Sequence, residues 1–217
     1  MTEKITNILF DLDGTLTDPR EGIINSILFA LKKLGIQEDS VAELDSFIGP
    51  PLRESFIARY NLSDILADQA MNYYREYFAV KGMFENVVYT GVEDMLGSLI
   101  LKKYKLFVAT SKPTIYSIEI LKHFNLDKYF VEIVGSNLDN TRTDKSEIIE
   151  HVLTVHNLES ADSIMIGDRK HDIIGAKNNS MKCIGVTYGY GSMQELVSVG
   201  PDFIINDCKE LEALFQY

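Results

Sequence analysis

Residues 5–10 form a short apolar run that stops at a polar Asp-Leu-Asp-Gly-Thr segment, the pattern of a buried strand ending in a loop. Ile23, Ile24, Ile27, Leu28, Leu31 and Leu34 then recur at helical spacing, and Gly35 is placed to end that helix. Helical patterning continues over 44–48, 52–60 and 65–78, broken at Gly49-Pro50-Pro51 and at 61–63. Beyond Tyr89 the pattern changes to alternation. Helices are predicted over 92–103, 115–124, 145–156, 172–178 and 211–215. Strands are predicted between them, over 106–109, 131–134, 163–166, 183–186 and 203–205. Strand–helix alternation predicts an α/β fold, a doubly wound parallel sheet covered on both faces. The first strand belongs to that sheet by type, so the helical block behind it reads as an insertion. The predicted division is an α/β core of residues 1–17 and 86–217 with an all-helical cap over 18–85, and Tyr73, Tyr74, Tyr77 and Phe78 read as the core of the cap.

Composition narrows the partners. With 217 residues, 46% of them hydrophobic, the chain can bury a sizeable core. The 21 Lys+Arg against 32 Asp+Glu give a net charge of −11, which repels phosphate backbones. Polymeric nucleic acid and anionic membrane are therefore not expected as partners, whereas a small phosphorylated metabolite is, because its charge is met locally. Cys183 and Cys208 fit no CxxC or zinc spacing. They read as free core thiols in a reducing cytosol, a single disulfide being the alternative. No apolar run reaches the roughly 20 residues of a membrane span, and the charged start of the chain lacks the pattern of a signal peptide. A cytoplasmic protein, monomeric or a small homo-oligomer, is expected.

Open sheets of this Rossmann-like type bind ligands at the carboxyl ends of their strands. Asp11 and Asp13 follow the first strand, Thr110, Ser111 and Lys112 the second, Asn137 to Lys145 the third, and Gly167, Asp168 and Asp172 the fourth. Four acids converging on one edge repel one another unless a cation neutralises them, and Mg2+ with oxygen ligands is the natural choice. Positions two apart in an extended segment point the same way, so Asp11 and Asp13 can address one reacting group. Asp11 can attack phosphorus to give an aspartyl phosphate that water then hydrolyses. Asp13 would protonate the leaving oxygen first and deprotonate the water later. Thr110, Ser111 and Lys145 would hold the non-bridging phosphoryl oxygens, with Lys112 and Arg142 as substitutes for Lys145. Thr110 or Ser111 alternatively caps the helix that follows Pro113. Arg53 and Lys81 are candidate cap contacts to the substrate. Gly189-Tyr-Gly191 hints at a dinucleotide loop, but the third glycine is missing and no strand–helix unit is predicted to open there.

Asp11-Leu-Asp-Gly-Thr-Leu, Thr110-Ser111, Lys145 and Gly167-Asp168-x-x-x-Asp172 resemble, in order, the four motifs of the haloacid dehalogenase-like hydrolase superfamily. The resemblance implies that Asp11, Asp168 and the backbone carbonyl of Asp13 bind Mg2+. It implies that Asp172 holds Asp168 or the waters around the ion, and that the helical block is a cap closing over a small substrate. The acid at Asp13 is similar to that of phosphatases and phosphomutases, which need a proton donor for the leaving group. Residues 17–22, 48–54, 135–139 and Thr141-Arg142 are similar to phosphoglycolate phosphatase-like and bacterial 5′-nucleotidase-like members, with departures from the phosphoglycolate pattern at Ser111 and Ser146. The expected function is a Mg2+-dependent phosphomonoester hydrolase. A phosphomutase and a phosphorylatable signalling module are the rivals.

Overall fold

A computed structural model of the chain describes residues 5–139 and 141–215. Part of the charged start of the sequence, residues 1–4, lies outside them. The chain divides into two compact units, one made of the residues up to Asp18 together with those from Val88 onward, the other of Pro19–Val87.

The first unit is built on a six-stranded sheet. Its strands are β1 (Asn7–Phe10), β4 (Lys105–Pro113), β5 (Glu132–Ser136), β6 (Ser163–Gly167), β7 (Lys182–Val186) and β8 (Phe203–Ile205), in the order β5-β4-β1-β6-β7-β8. Every pairing is parallel, and Phe10 lies beside Val108 on one side and Ile166 on the other. The helices are α4 (Val92–Leu101), α5 (Thr114–His123), α6 (Lys145–Val155), α7 (Lys170–Asn178), α8 (Met193–Val199) and α9 (Cys208–Leu214). Leu9, Phe107, Met165 and Cys183 form one core with Ile148, Ile149 and Val152 of α6, Ile173 of α7 and Leu196 of α8. Their strand neighbours Ile8, Phe10, Leu106, Val108, Ile164 and Ile166 are wholly buried as well, which an alternating strand achieves only if both faces are covered. All four residues of β1 are buried, as a central strand of a two-sided sheet requires. The chain leaves β1 toward β4 and β5, then crosses back to β6 on the other side, so β1 stands at the point where strand order reverses.

The second unit is helical: α1 (Arg20–Leu34), α2 (Leu52–Tyr60) and α3 (Asp64–Phe78), with a 3-10 turn over Val41–Phe47. Helix α1 ends at Gly35, whose positive φ of 71° closes the last turn. Ser63 caps α3, accepting from Leu66 N. Tyr74 and Phe78 are buried and stacked at 5.3 Å, while Tyr73 and Tyr77 are only partly covered. Two short strands, β2 (Thr17–Asp18) and β3 (Val87–Val88), pair as a separate ribbon.

Two expectations are corrected, and the reading of the cysteines as free core thiols agrees with the structure. Helix α8 follows β7 seven residues on, so a strand–helix unit does open around Gly189-Tyr-Gly191. Its seven residues bury Leu196 alone, which leaves no periodic signal to read. The two cysteines are both free and buried, with no disulfide. Strand β4 runs on through Pro113, and it is Pro113, not Thr110 or Ser111, that precedes α5. Among the described residues no helix is long and apolar enough to cross a membrane.

Candidate active site

The sheet continues one bond beyond β1, where Asp11 N donates to Ile166 O at 2.9 Å. That bond seats Asp11 at the sheet's carboxyl edge. Its Oδ1 accepts from Leu12 N at 2.8 Å and lies 2.9 Å from Lys145 Nζ. Lys145 is the first residue of α6 and is almost wholly buried. Its ammonium also lies 2.8 Å from Asp172 Oδ1 and donates to Ala109 O at 2.9 Å. Burial works against a charged lysine, but the Asp11 and Asp172 carboxylates more than offset it, and the Lys145 pKa lies above its ordinary value. Asp172, in the first turn of α7, accepts from Arg169 N at 3.0 Å.

Asp168 is the wholly buried acid just after β6. Tyr190 N donates to its Oδ2 at 2.7 Å, and the Thr15 hydroxyl reaches its Oδ1 at 3.5 Å. Burial, with the nearby Asp172 and Asp11 charges, pushes its pKa up to about 8. Burial likewise raises Asp172, against the pull of Lys145. One carboxylate oxygen from each of Asp11, Asp168 and Asp172 lies within 4.8 Å of the others. Three carboxylates around one lysine leave the cluster short of positive charge. An all-oxygen donor set of this kind fits a hard divalent cation. Gly14 makes the crowding possible: its φ is 81°, and a Cβ there would sit 2.3 Å from Asp168 Oδ2.

Asp13 has a partner of its own. Lys112 Nζ donates to its Oδ2 at 2.6 Å, and both side chains are largely buried. Burial raises the Asp13 pKa, and Lys112 opposes the rise. Thr110 is buried and Ser111 partly so, at a stretch where the register of β4 on β5 shifts between Ala109 and Pro113. The Thr110 hydroxyl accepts from Lys112 N at 3.3 Å, and Ser111 O accepts from the Ser136 hydroxyl at 2.9 Å.

The structure thus brings Asp11, Lys145, Asp168 and Asp172 into one cluster and pairs Asp13 with Lys112. Arg142 bonds back to Gly135 O at 3.1 Å and Asn137 Oδ1 at 3.3 Å. In the helical unit Arg53 pairs with Asp64 and Asp68, each at 2.8 Å, and Lys81 with Glu85 at 3.1 Å. Sequence reasoning missed Lys112 as the partner of Asp13 and missed the Tyr190 amide on Asp168. A backbone donor has no residue signature. The glycines on either side of Tyr190, just past the end of a strand, were the available signal.

The chain matches the family model of haloacid dehalogenase-like hydrolases over residues 8–186. It is 49% identical over 213 residues to a 5′-nucleotidase of Pseudomonas aeruginosa, covering 98% of this chain and 95% of that one. It is 28% identical over 220 residues to a phosphoglycolate phosphatase of Vibrio parahaemolyticus, covering 97% and 96%. The crystal structure of a "predicted phosphatase" from Clostridium acetobutylicum superposes with a TM-score of 0.93 at 48% identity, covering 97% and 98%. The chain belongs to the haloacid dehalogenase-like hydrolase family and, within it, to the phosphatases.

Proposed function

We propose that this phosphatase hydrolyses small phosphomonoesters, nucleoside 5′-monophosphates foremost, with Mg2+ and through an aspartyl phosphate on Asp11. The observation that carries the reading is the Asp11 carboxylate held at the sheet edge between Leu12 N and Lys145 Nζ, within reach of Asp168 and Asp172. The 49% identity to a 5′-nucleotidase supports the substrate class.

Asp11 attacks phosphorus, forming one P–O bond as the bond to the leaving oxygen breaks. Asp13 gives that oxygen its proton, and burial favours the protonated carboxyl that this step needs. A water then attacks the aspartyl phosphate, Asp13 takes its proton, and the bond to Asp11 breaks to release inorganic phosphate. Lys145 offsets charge beside Asp11 throughout, and Thr110 and Ser111 are proposed to hold the phosphoryl oxygens. Asp11, Asp168 and the Asp13 carbonyl would hold Mg2+, with Asp172 behind them. Bound there, the ion supplies charge neutralisation and orientation of the phosphoryl group. Arg53 and Lys81 are proposed to meet the leaving group. The solvent-facing ion pairs of Arg53 with Asp64 and Asp68 cost little to exchange for a substrate anion.

Phosphate release from nucleoside 5′-monophosphates, phosphoglycolate, sugar phosphates, pyrophosphate and p-nitrophenyl phosphate, with Mg2+ and with EDTA, tests the reading. Metal-dependent release with nucleotides as favourites is expected. Release that EDTA leaves untouched overturns the metal assignment, and preference for another member overturns the substrate class.

A further inference from the structure

The loop after β7, residues 187–191, touches both the loop that carries Asp11 and Asp13 and the Asp168 carboxylate. Tyr188 OH donates to Thr15 O at 3.1 Å, in the loop that follows Asp11 and Asp13, and its ring meets Tyr89 edge-on at 5.2 Å. Tyr190 N donates to Asp168 Oδ2 at 2.7 Å. The Tyr190 hydroxyl donates to Asp18 Oδ1, in β2. The packing leaves no room for any other residue at the flanks. A Cβ on Gly189 would lie 2.3 Å from Gly14 O and 2.4 Å from Asp168 Oδ2, and one on Gly191 would lie 1.8 Å from Asp168 O. The loop is thus packed closely against Asp168.

From this geometry we infer that Tyr190 is a positioning residue for Asp168: its hydroxyl, anchored on Asp18, holds its own amide on Asp168 Oδ2 and so fixes the carboxylate for the divalent cation. The inference rests on the Mg2+ reading above. The logic is mechanical. A carboxylate bound by a fixed N–H through one oxygen has lost its rotational freedom, so its other oxygen is aimed before the cation arrives. A loop flanked by glycines on both sides has little stiffness of its own. The Tyr190–Asp18 bond, beside that of Tyr188 to Thr15 O, supplies an anchor that the glycines cannot.

Removing that anchor leaves Asp168, the amide and the tyrosine ring in place. Tyr190→Phe is therefore expected to weaken Mg2+ binding, measured by titration calorimetry on the full chain, by about three- to tenfold. The Mg2+ concentration for half-maximal phosphate release should rise by the same factor. Asp18→Ala cuts the same bond from its other end and is expected to give the same loss, with no further loss in the double variant. Asp18→Asn keeps an acceptor oxygen and should restore binding to near wild type. Lower thermal stability in Tyr190→Phe with Mg2+ affinity at the wild-type value overturns the inference, because a merely structural tyrosine gives that result. Equal affinity in Asp18→Ala overturns it independently, should Tyr190→Phe fail to fold. A wild-type chain that binds no Mg2+ refutes the metal reading instead, so the two failures are distinct.

Discussion

Two cations in this molecule each stand between two aspartates. Lys145 lies between Asp11 and Asp172, with side chains 4%, 12% and 1% exposed. Arg53 lies between Asp64 and Asp68, with side chains 33%, 84% and 64% exposed. The distances are alike, from 2.8 to 2.9 Å, yet the surroundings make the pairs different objects. Water screens the Arg53 pairs, so either partner can leave at little cost. Burial shields the Lys145 pairs from solvent screening, so each charge depends more strongly on the others being present. Pair distances alone do not distinguish these two clusters. Burial does.

Four experiments press on that difference. The largest effect is expected from Asp11→Asn, which should lower turnover by about 10⁴-fold or more while leaving the circular dichroism spectrum unchanged. Turnover near wild type would remove Asp11 as nucleophile. Next, Lys145→Met should cost about 3–5 kcal/mol of stability at neutral pH, because it strands two buried carboxylates. The loss should shrink at acid pH, where Asp172, whose pKa burial raises, accepts a proton. Arg53→Met should leave the unfolding midpoint close to wild type, and equal midpoints for the two variants would erase the contrast.

The third experiment removes metal. In EDTA the folded chain holds a proton on Asp168 up to about pH 8, whereas the unfolded chain releases it near the ordinary carboxylate value. The folded state thus binds the extra proton between those limits, and this group makes the thermal midpoint fall as pH rises through them. Mg2+ should reverse the trend, and Asp168→Asn should flatten it. A midpoint in EDTA that rises over the same range in wild type but not in Asp168→Asn would contradict the account. The smallest effect is expected at Lys112, a case between the two extremes, 6% exposed against a 16% exposed Asp13. Lys112 pulls the Asp13 pKa down, so Lys112→Met should move the alkaline limb of kcat/KM to higher pH. An unmoved limb would mean that another group sets it.

Most of the sheet was legible because its strands are short apolar runs with polar stops. Phe203–Ile205 appears at its predicted bounds, and Ser163–Gly167 differs from prediction by one residue. Helix α2 likewise falls over the predicted 52–60. What escaped was too short to carry a period: β2 and β3 have two residues each. In the site, acids at strand ends were readable because carboxylates gathered there demand a reason. The Lys112–Asp13 pair was not, since a side chain's choice between two nearby anions depends on distances that no spacing rule sets.

The place of β1 has a consequence for how the molecule comes into being. Asn7 pairs with Lys105 on one side and with Ser163 on the other. A nascent chain therefore carries its central strand, all four residues apolar or buried in the end, through the synthesis of the whole helical unit with no neighbour to pair with. The sheet cannot close until β6 has emerged, and such long-range parallel pairing is slow. Until then the apolar run Ile8-Leu9-Phe10 keeps at least one unpaired edge, the kind of segment that invites pairing with another chain.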